Sequence, residues 1–535
     1  MIENDEPDER HAIPRWLSIH QSKLIGELDG ISSVRPIISR EALSNVHGVM
    51  DEEFSRSILN WRVLPDEANA EELLSIALIV NKTEDKEVHQ AAELLAKDID
   101  QSSYVIQFAK KILGSSEEVS ETLPHEIQNI RLAIANQKKL LSLNPRDSLR
   151  LTETALLYAS IGHNKSSRSF LRRAVILAPD NRYVLRSASR FFVHMNEHEY
   201  ALELLESSPR TKNDPWLKAA SLAIGATIGH QPQHWRKAKS LLTNTNFSSR
   251  ALSELAVQVG TLEFDAGSRR QAIRLLKQGA ESPTENAVAQ IEWISRRKKI
   301  FSSNESIVDI SLSHEASAYD AYEKGDWQDA LSRCESWHEI ESFSVRPTIF
   351  GSFIAAVTSS DIDRGLALAN SGLIANPKNI TLLNNCAVLQ ACSGRIDDAE
   401  RSLSKAFTMD RDADEHIMLT ATEGLLNFRS GNYENGISSY SKAINLALES
   451  PTRSLAFRAY CFMARELSRI DIESSQFAQA QLDGAFQQAN ERGIKIPNDL
   501  IFIYNEIKNK NDSISSLNLS NIPILDSHKI PSIID

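Results

Sequence analysis

The chain has few cysteines, few aromatic residues and no long apolar run. Four of its 535 residues are cysteines and 7% are aromatic. So few cysteines argue against a disulfide framework or a cysteine-rich zinc site. No stretch approaches the roughly eighteen apolar residues that a membrane-spanning helix needs. Because strand-like alternation of apolar and polar residues is also nearly absent, the sequence predicts an all-α fold.

The chain carries a net negative charge. The first ten residues are acidic and are not followed by the apolar segment of a secretory signal peptide, so we expect a cytoplasmic protein without a membrane segment. The formal net charge of −12 argues against a nucleic-acid partner, because neutralising phosphates needs a basic surface. Local basic faces occur at Arg186 with Arg190 and at Arg296 with Arg297. Such faces are most often solvated, and the functional alternative is contact with an acidic partner.

Signatures of catalysis are missing or incomplete. The sequence contains no phosphate loop, no dinucleotide-binding glycine motif and no serine nucleophile elbow. His194, Glu197 and His198 form the string H-x-x-E-H of some zinc peptidases. This string falls on a predicted turn between two helices, and two histidines alone do not close a zinc site. We therefore predict neither an enzyme, nor a metal site, nor a cofactor.

What the sequence does contain is a recurrent glycine register. A glycine closes an amphipathic helix, and a second helix follows at once, at Gly162, Gly267, Gly325, Gly394 and Gly431. Each of these glycines has a small residue seven positions before it. In the clearest copy, residues 382–407, the small positions are Ala387, Ala399 and Ala406, while Leu383 and Leu403 supply bulk. The spacing predicts pairs of helices that approach closely at the small residues.

These residues resemble the tetratricopeptide repeat, a helical hairpin with small, large and glycine positions at set spacings. The resemblance implies an all-α, right-handed superhelix of stacked helix-turn-helix hairpins, because one hairpin alone cannot bury its apolar face. We assign the array to residues 122–507. Residues 1–115 lack the register and are interpreted as a divergent N-terminal helical cap, in which Pro14 to Leu28 and Met50 to Trp61 read as short helices.

The last 28 residues, 508–535, place isoleucines around two prolines in a stretch rich in serine and asparagine. We predict a non-helical tail. Two alternatives stay open for it: a flexible end, or an extended segment that docks on this protein or on another one.

The resemblance also implies where a partner binds. In tetratricopeptide arrays the first helix of each hairpin lines a concave face. In this chain the corresponding side chains are mostly apolar: Phe350, Ile354, Val357, Asn384, Val388, Met418, Leu425 and Phe428. An apolar groove suits a peptide or a helix of a partner. The alternative is that a neighbouring helix of the same array covers it.

Two functional hypotheses follow. The first is a non-catalytic scaffold or adaptor that binds a partner protein or peptide on the concave face. The second is a regulatory or sensor subunit of a multiprotein enzyme or of a nucleic-acid-associated complex. A scaffold binds its target alone, whereas a subunit purifies in a fixed complex with a catalytic partner.

Overall fold

The computed structural model describes residues 13–18, 46–97, 104–114, 125–229, 238–244, 246–298, 300–301, 307–470, 472–491 and 495–514. Within these ranges the regular structure is helical and no strand occurs, which confirms the all-α prediction. None of the described helices is long and apolar enough to cross a membrane. The α-helices of the described ranges are α1 (Val46–Val63), α2 (Glu67–Ile79), α3 (Lys86–Leu95), α4 (Tyr104–Ile112), α5 (His125–Leu143), α6 (Ser148–Ser160), α7 (Asn164–Leu177), α8 (Arg182–His194), α9 (His198–Ser207), α10 (Pro215–Thr227), α11 (Lys239–Leu242), α12 (Ser249–Asp265), α13 (Arg269–Ala280), α14 (Glu285–Lys298), α15 (His314–Lys324), α16 (Trp327–Ile340), α17 (Val345–Thr358), α18 (Ile362–Ala375), α19 (Ile380–Cys392), α20 (Ile396–Phe407), α21 (Ala413–Arg429), α22 (Tyr433–Glu449), α23 (Ser454–Leu467), α24 (Ile472–Glu491) and α25 (Asn498–Ile514).

The chain divides into two compact units. Of the described residues, those within Pro7–Ala316 and Glu339–Ser344 form the N-terminal unit, and those within Ser317–His338 and Val345–Asp535 form the C-terminal unit. In both units consecutive helices pack as hairpins, for example α6 with α7 and α21 with α22. The first helices of successive hairpins also pack on each other, as α17, α19, α21 and α23 do. Each unit is therefore built of stacked helical hairpins, as the resemblance to the tetratricopeptide repeat implies, and the right-handed sense of the stacking stays a prediction.

The five turn glycines have the left-handed backbone conformation that the register predicts. All five have a positive φ, between 73° and 81°. At Gly394 the amide donates to the carbonyl of Ala391 (3.1 Å), and the amide of Arg395 donates to that of Gln390 (2.9 Å), which is the Schellman closure of a helix. A Cβ at Gly394 would meet no atom within 4 Å. The position requires glycine for its backbone conformation and not for lack of space.

The small and large positions of the register are also confirmed. Ala387, Ala399 and Ala406 are completely buried, and Leu383 and Leu403 lie in the same apolar cluster. Since a methyl group at the small positions fills the gap between helices, a larger side chain there would separate the two helices of the hairpin. The sequence pattern thus reports a packing constraint.

A buried ion network joins α1 and α2 to α5 within the N-terminal unit. The guanidinium of Arg131, on α5, donates to Glu72 and to the hydroxyl of Ser75 (2.9 Å) on α2. Lys138 pairs with Glu53 and with Glu72 (3.3 Å). Burial would raise the pKa of Glu72, but the charges of Arg131 and Lys138 outweigh it and lower that pKa to about 2. The helices before the glycine register are therefore held to the array by paired charges as well as by apolar contacts.

The end of the chain differs from the prediction. Helix α25 continues to Ile514, so residues 508–514 of the predicted non-helical tail are helical. Asn511 explains the extension: it is buried, its side-chain amide donates to Gln479 (2.5 Å), and its carbonyl accepts from Ser475 (2.6 Å). Tertiary partners thus stabilise a helix that its polar sequence did not indicate. The remaining tail, residues 515–535, lies outside the described residues.

Candidate peptide-binding site

The most unusual feature of the N-terminal unit is a buried, non-helical segment, Ile13–Ser18. Trp16 is fully buried, and Ile13 and Arg15 are 5% and 9% exposed. The prediction of a helix from Pro14 is wrong for residues 14–18, while residues 19–28 lie outside the described ranges. Proline restricts the residue before it to extended conformations, and the side chains that follow each find a separate tertiary partner. These contacts outweigh local helix propensity.

The indole of Trp16 occupies an aromatic pocket. It packs edge-on against Phe191 of α8, with ring centroids 6.0 Å apart, and against Phe343, at 5.3 Å. Phe343 follows α16 and is itself in contact with the guanidinium of Arg190 (5.0 Å) and the ring of His194 (5.2 Å). Such aromatic pairs add to the stabilisation that burial alone provides. Phe191 and Phe343 therefore form the walls of the pocket, and Arg190 and His194 support Phe343.

Two carboxylates hold Arg15. Its Nη1 lies 3.0 Å from Oε1 of Glu285, the first residue of α14, and its Nη2 lies 2.5 Å from Oε2 of Glu315 in α15. The side chains of Arg15 and Glu315 are 5% and 1% exposed. Each carboxylate thus accepts a charge-assisted hydrogen bond from a different arm of one guanidinium.

The end of the segment is held by polar groups of α6 and α8. Ser18 donates to Glu153 of α6 (2.7 Å). The hydroxyl of Tyr183, on α8, also bonds Glu153 and lies 3.0 Å from the backbone carbonyl of Leu17. Burial and the Glu153 charge raise the pKa of Tyr183 well above its usual range, so the hydroxyl keeps its proton for donation. The segment consequently contacts α6, α8, α14 and α15 through four successive residues.

The arginines that were predicted to contact an acidic partner lie close to carboxylates of the chain itself. Arg186 is 4% exposed and forms two hydrogen bonds with Glu254 of α12, at 2.8 and 3.2 Å. Arg190 is 8% exposed and lies 3.7 Å from Glu341. Arg296 pairs with Glu292, one turn away on α14, at 3.0 Å, and the side chain of Arg297 lies outside the described residues. Arg186 and Arg190 thus sit inside the unit, and contact with an acidic partner stays a prediction.

The predicted apolar groove of the C-terminal unit is not open. Of its eight residues, Val388 and Met418 are half-buried and the others are buried: Phe350, Ile354, Val357, Asn384, Leu425 and Phe428. Phe350 stacks on Tyr319 at 4.5 Å, and Asn384 accepts a hydrogen bond from Thr422 at 2.7 Å. The structure thus agrees with the alternative that the array covers this face itself.

Helix α25 is part of this cover, because it packs on α17 and α23. Its residues Ile503 and Ile507 share one apolar cluster with Val357 of α17. The carbonyl of Val357 also accepts a hydrogen bond from the buried Arg465 of α23 (2.6 Å). Binding of a partner at the eight groove residues stays a prediction, and it requires the neighbouring helices to separate first.

The H-x-x-E-H string lies on a turn, as predicted: His194 ends α8 and His198 begins α9. Glu197 pairs with Arg168, and burial together with Arg190 lowers the pKa of His194 to about 3. In the part of the chain that the structure describes, no group of three or more His, Cys, Asp or Glu residues is arranged to hold a metal ion.

Sequence reasoning missed the segment and its partners. The available signal was Trp16 two residues after Pro14, an aromatic residue close to a helix-breaking imino acid in a mostly polar stretch. Glu285 and Glu315 carry no local signal, because surface carboxylates are common on any helical array. They become conspicuous only when the fold brings both to one guanidinium.

Comparisons with known proteins add little to this description. No family model matches the sequence, and no curated protein matches it either. Among solved structures, the chain is similar to a human IFIT1 dimer with PPP-AAAA, at 12% identity over 88% of this chain and 95% of that chain, with a TM-score of 0.27. Yeast Tom70 has 14% identity, coverage of 84% and 97%, and a TM-score of 0.29. The structure of Naa15/Naa10 bound to HypK-THB has 14% identity over 89% of this chain and 79% of that chain, with a TM-score of 0.21.

Scores this low carry no argument about function. The prediction against a nucleic-acid partner stays a prediction. The description of this protein as stacked hairpins depends on its own helices and turns.

Proposed function

We propose that this protein is a non-catalytic scaffold that binds a partner protein or peptide on α6, α8, α14 and α15 of the N-terminal unit, where its own residues 13–18 lie. The observation that carries the proposal is the complete burial of Trp16 among α6, α8 and Phe343. Helical repeat arrays bind their partners on extended surfaces to which successive repeats contribute. Here the chain itself provides the peptide.

The contacts of the segment are made at separate points. An ion-paired arginine, a buried indole and a hydrogen-bonded serine lie within four residues, 15–18. Buried aromatic and arginine anchors of this kind carry most of the free energy in protein interfaces. A segment held in this way can be replaced by another peptide with the same anchors.

The chain's own segment has the advantage of being intramolecular. A covalently attached ligand acts at an effective concentration on the order of millimolar. A free peptide with the same contacts therefore competes poorly with it. The surface becomes available to a partner in trans only after the segment has been weakened or displaced.

The test uses the full-length chain with Arg15→Ala and Trp16→Ala, called the released variant below. Hydrogen exchange of residues 13–18 verifies the release. A fluorescein-labelled peptide with the sequence of residues 11–18 is then titrated and followed by anisotropy. We expect saturable binding to the released variant and at least about tenfold weaker binding to the wild-type chain.

A Trp61→Ala variant serves as control, because Trp61 lies in α1, is 7% exposed and belongs to a different apolar cluster. It should bind the peptide as weakly as the wild type does. If the released variant shows no saturable binding, the surface is a fixed part of the fold and the proposal fails.

The second hypothesis, a regulatory or sensor subunit, stays a prediction. It is distinguished by native mass spectrometry of the protein purified from its host. A scaffold gives the free chain together with substoichiometric partners, whereas a subunit gives a complex of fixed stoichiometry.

A further inference from the structure

We propose that the partner of this surface presents an arginine followed directly by an aromatic residue in a non-helical peptide, and that it competes with Arg15 and Trp16 of the chain itself. The inference rests on the proposed function and names the chemistry of its ligand. It follows from three properties of the surface: the placement of two carboxylates, the construction of the aromatic pocket and the spacing between them.

The carboxylates select arginine over lysine. Glu285 and Glu315 come from different helices and meet different nitrogen atoms of the guanidinium, Nη1 and Nη2. A planar guanidinium presents two donors in a rigid fork, whereas the ammonium group of lysine concentrates its charge at one point. Lysine at this position therefore reaches one of the carboxylates well and the other poorly.

A peptide without a cation at the position of Arg15 loses much of its binding free energy. The side chain of Glu315 is 1% exposed with the segment in place, so a bound peptide removes this carboxylate from water. Truncating one partner of a buried, hydrogen-bonded charge pair weakens binding strongly, because the remaining charge stays desolvated. The surface thus discriminates against peptides that lack a cation beside the aromatic residue.

The pocket selects an aromatic side chain. Phe191 and Phe343 contact the indole of Trp16 edge-on and at a tilt. Both phenylalanines are completely buried, and Phe343 is held in turn by Arg190 and His194. A pocket whose walls are fixed from behind cannot collapse around a small residue, so alanine would leave a void. Phenylalanine fills most of the same space.

The spacing fixes the order of the two anchors. Arg15 reaches α14 and α15, the next residue enters the pocket beside α8, and the carbonyl of Leu17 meets Tyr183. Neighbouring residues of a non-helical peptide point in different directions, which allows an arginine and an aromatic ring that are adjacent in sequence to contact opposite sites. Reversing their order would direct the ring to the carboxylates.

The experiment compares peptides on the released variant. The parent peptide of residues 11–18 is measured beside peptides carrying Arg15→Lys, Arg15→Ala, Trp16→Phe or Trp16→Ala. We expect both alanine peptides to bind about 100-fold more weakly than the parent. The lysine peptide should bind about tenfold more weakly, and the phenylalanine peptide should stay within about tenfold of the parent.

A second set of variants tests the carboxylates themselves. Glu315→Gln is introduced into the released variant, and Glu281→Gln, at an exposed position between α13 and α14, is the control. Glu315→Gln should reduce the preference for arginine over alanine from about 100-fold to less than about tenfold, while Glu281→Gln leaves it unchanged. A merely structural role of Glu315 would weaken all peptides alike and keep that preference.

The outcomes separate the two proposals. If all five peptides bind equally within about threefold, or if Glu315→Gln keeps the full preference for arginine, the arginine-aromatic specificity is wrong while the peptide-binding surface stands. If the parent peptide fails to bind the released variant, the proposed function itself is wrong.

Discussion

The substitution Trp16→Ala tests whether the N-terminal segment is held mainly by its indole. Trp16 is completely buried between Phe191 and Phe343, and truncating such a side chain to alanine costs about 3–5 kcal/mol. Since every 1.4 kcal/mol changes an equilibrium about tenfold, the released fraction of the segment should rise by a factor of about 100 or more, up to complete release.

Trypsin provides the assay, because it cleaves after Arg15, whose side chain is 5% exposed in the bound segment. When opening and closing are fast, the cleavage rate follows the population of the open form. The rate at Arg15 is measured for both chains and divided by the rate for free peptides of the same two sequences. We expect the ratio to rise about 100-fold in the variant, and to remain at the wild-type value in Trp61→Ala.

A ratio within about threefold of the wild-type value, in a variant with native helix content, would refute the reasoning. It would mean that the carboxylates of Glu285 and Glu315 hold the segment without help from the aromatic pocket. The same result would appear if the wild-type chain were already cleaved at Arg15 as fast as the free peptide.

Three further predictions concern the stability of the array, measured by urea denaturation. Glu254→Gln removes the carboxylate that accepts two hydrogen bonds from buried Arg186 and should lower the free energy of unfolding by about 3 kcal/mol. Adding Arg186→Met should recover most of this loss. A double variant as unstable as the single one contradicts the argument. Gly394→Ala should cost about 1 kcal/mol at its φ of 79°, and Gly394→Asn should cost less; equal losses would mean that the backbone conformation is not the cause. Because the folded pKa of His194 is about 3 and the unfolded value is about 6.5, the unfolded chain binds the extra proton below pH 6.5. Stability should thus fall by about 2 kcal/mol between pH 7.5 and 5; His194→Gln should remove this part of the pH dependence, and an unchanged dependence excludes His194.

Much of the fold could be predicted because its constraints are local. The glycines that close the first helices, such as Gly394, need a backbone conformation that few residues adopt, and the small residues, such as Ala387, mark places where helices touch. Both constraints leave a trace at fixed spacing in the sequence. The extension of α25 left no such trace, because Asn511 is satisfied by residues of another helix.

The candidate site could not be predicted in the same way. The side chains of the predicted groove have the expected apolar character, but an apolar pattern on a first helix does not state whether water, a partner or another helix of the same chain covers it. In the C-terminal unit, α25 helps to cover it. The arginines of α8 were visible as a basic pair, while the carboxylates that pair with them, Glu254 and Glu341, are far away in the sequence.

The sequence by itself determined the helical hairpins of this protein and the places where they touch, since helix periodicity, turn glycines and small residues act over a few neighbouring positions. Only the tertiary structure decided which surface is occupied and by what. Arg15 lies 270 residues from Glu285 and 300 residues from Glu315 in the chain. Burial of an ion pair and an indole at such separations depends on how the hairpins stack, and that arrangement is written in no short stretch of the sequence.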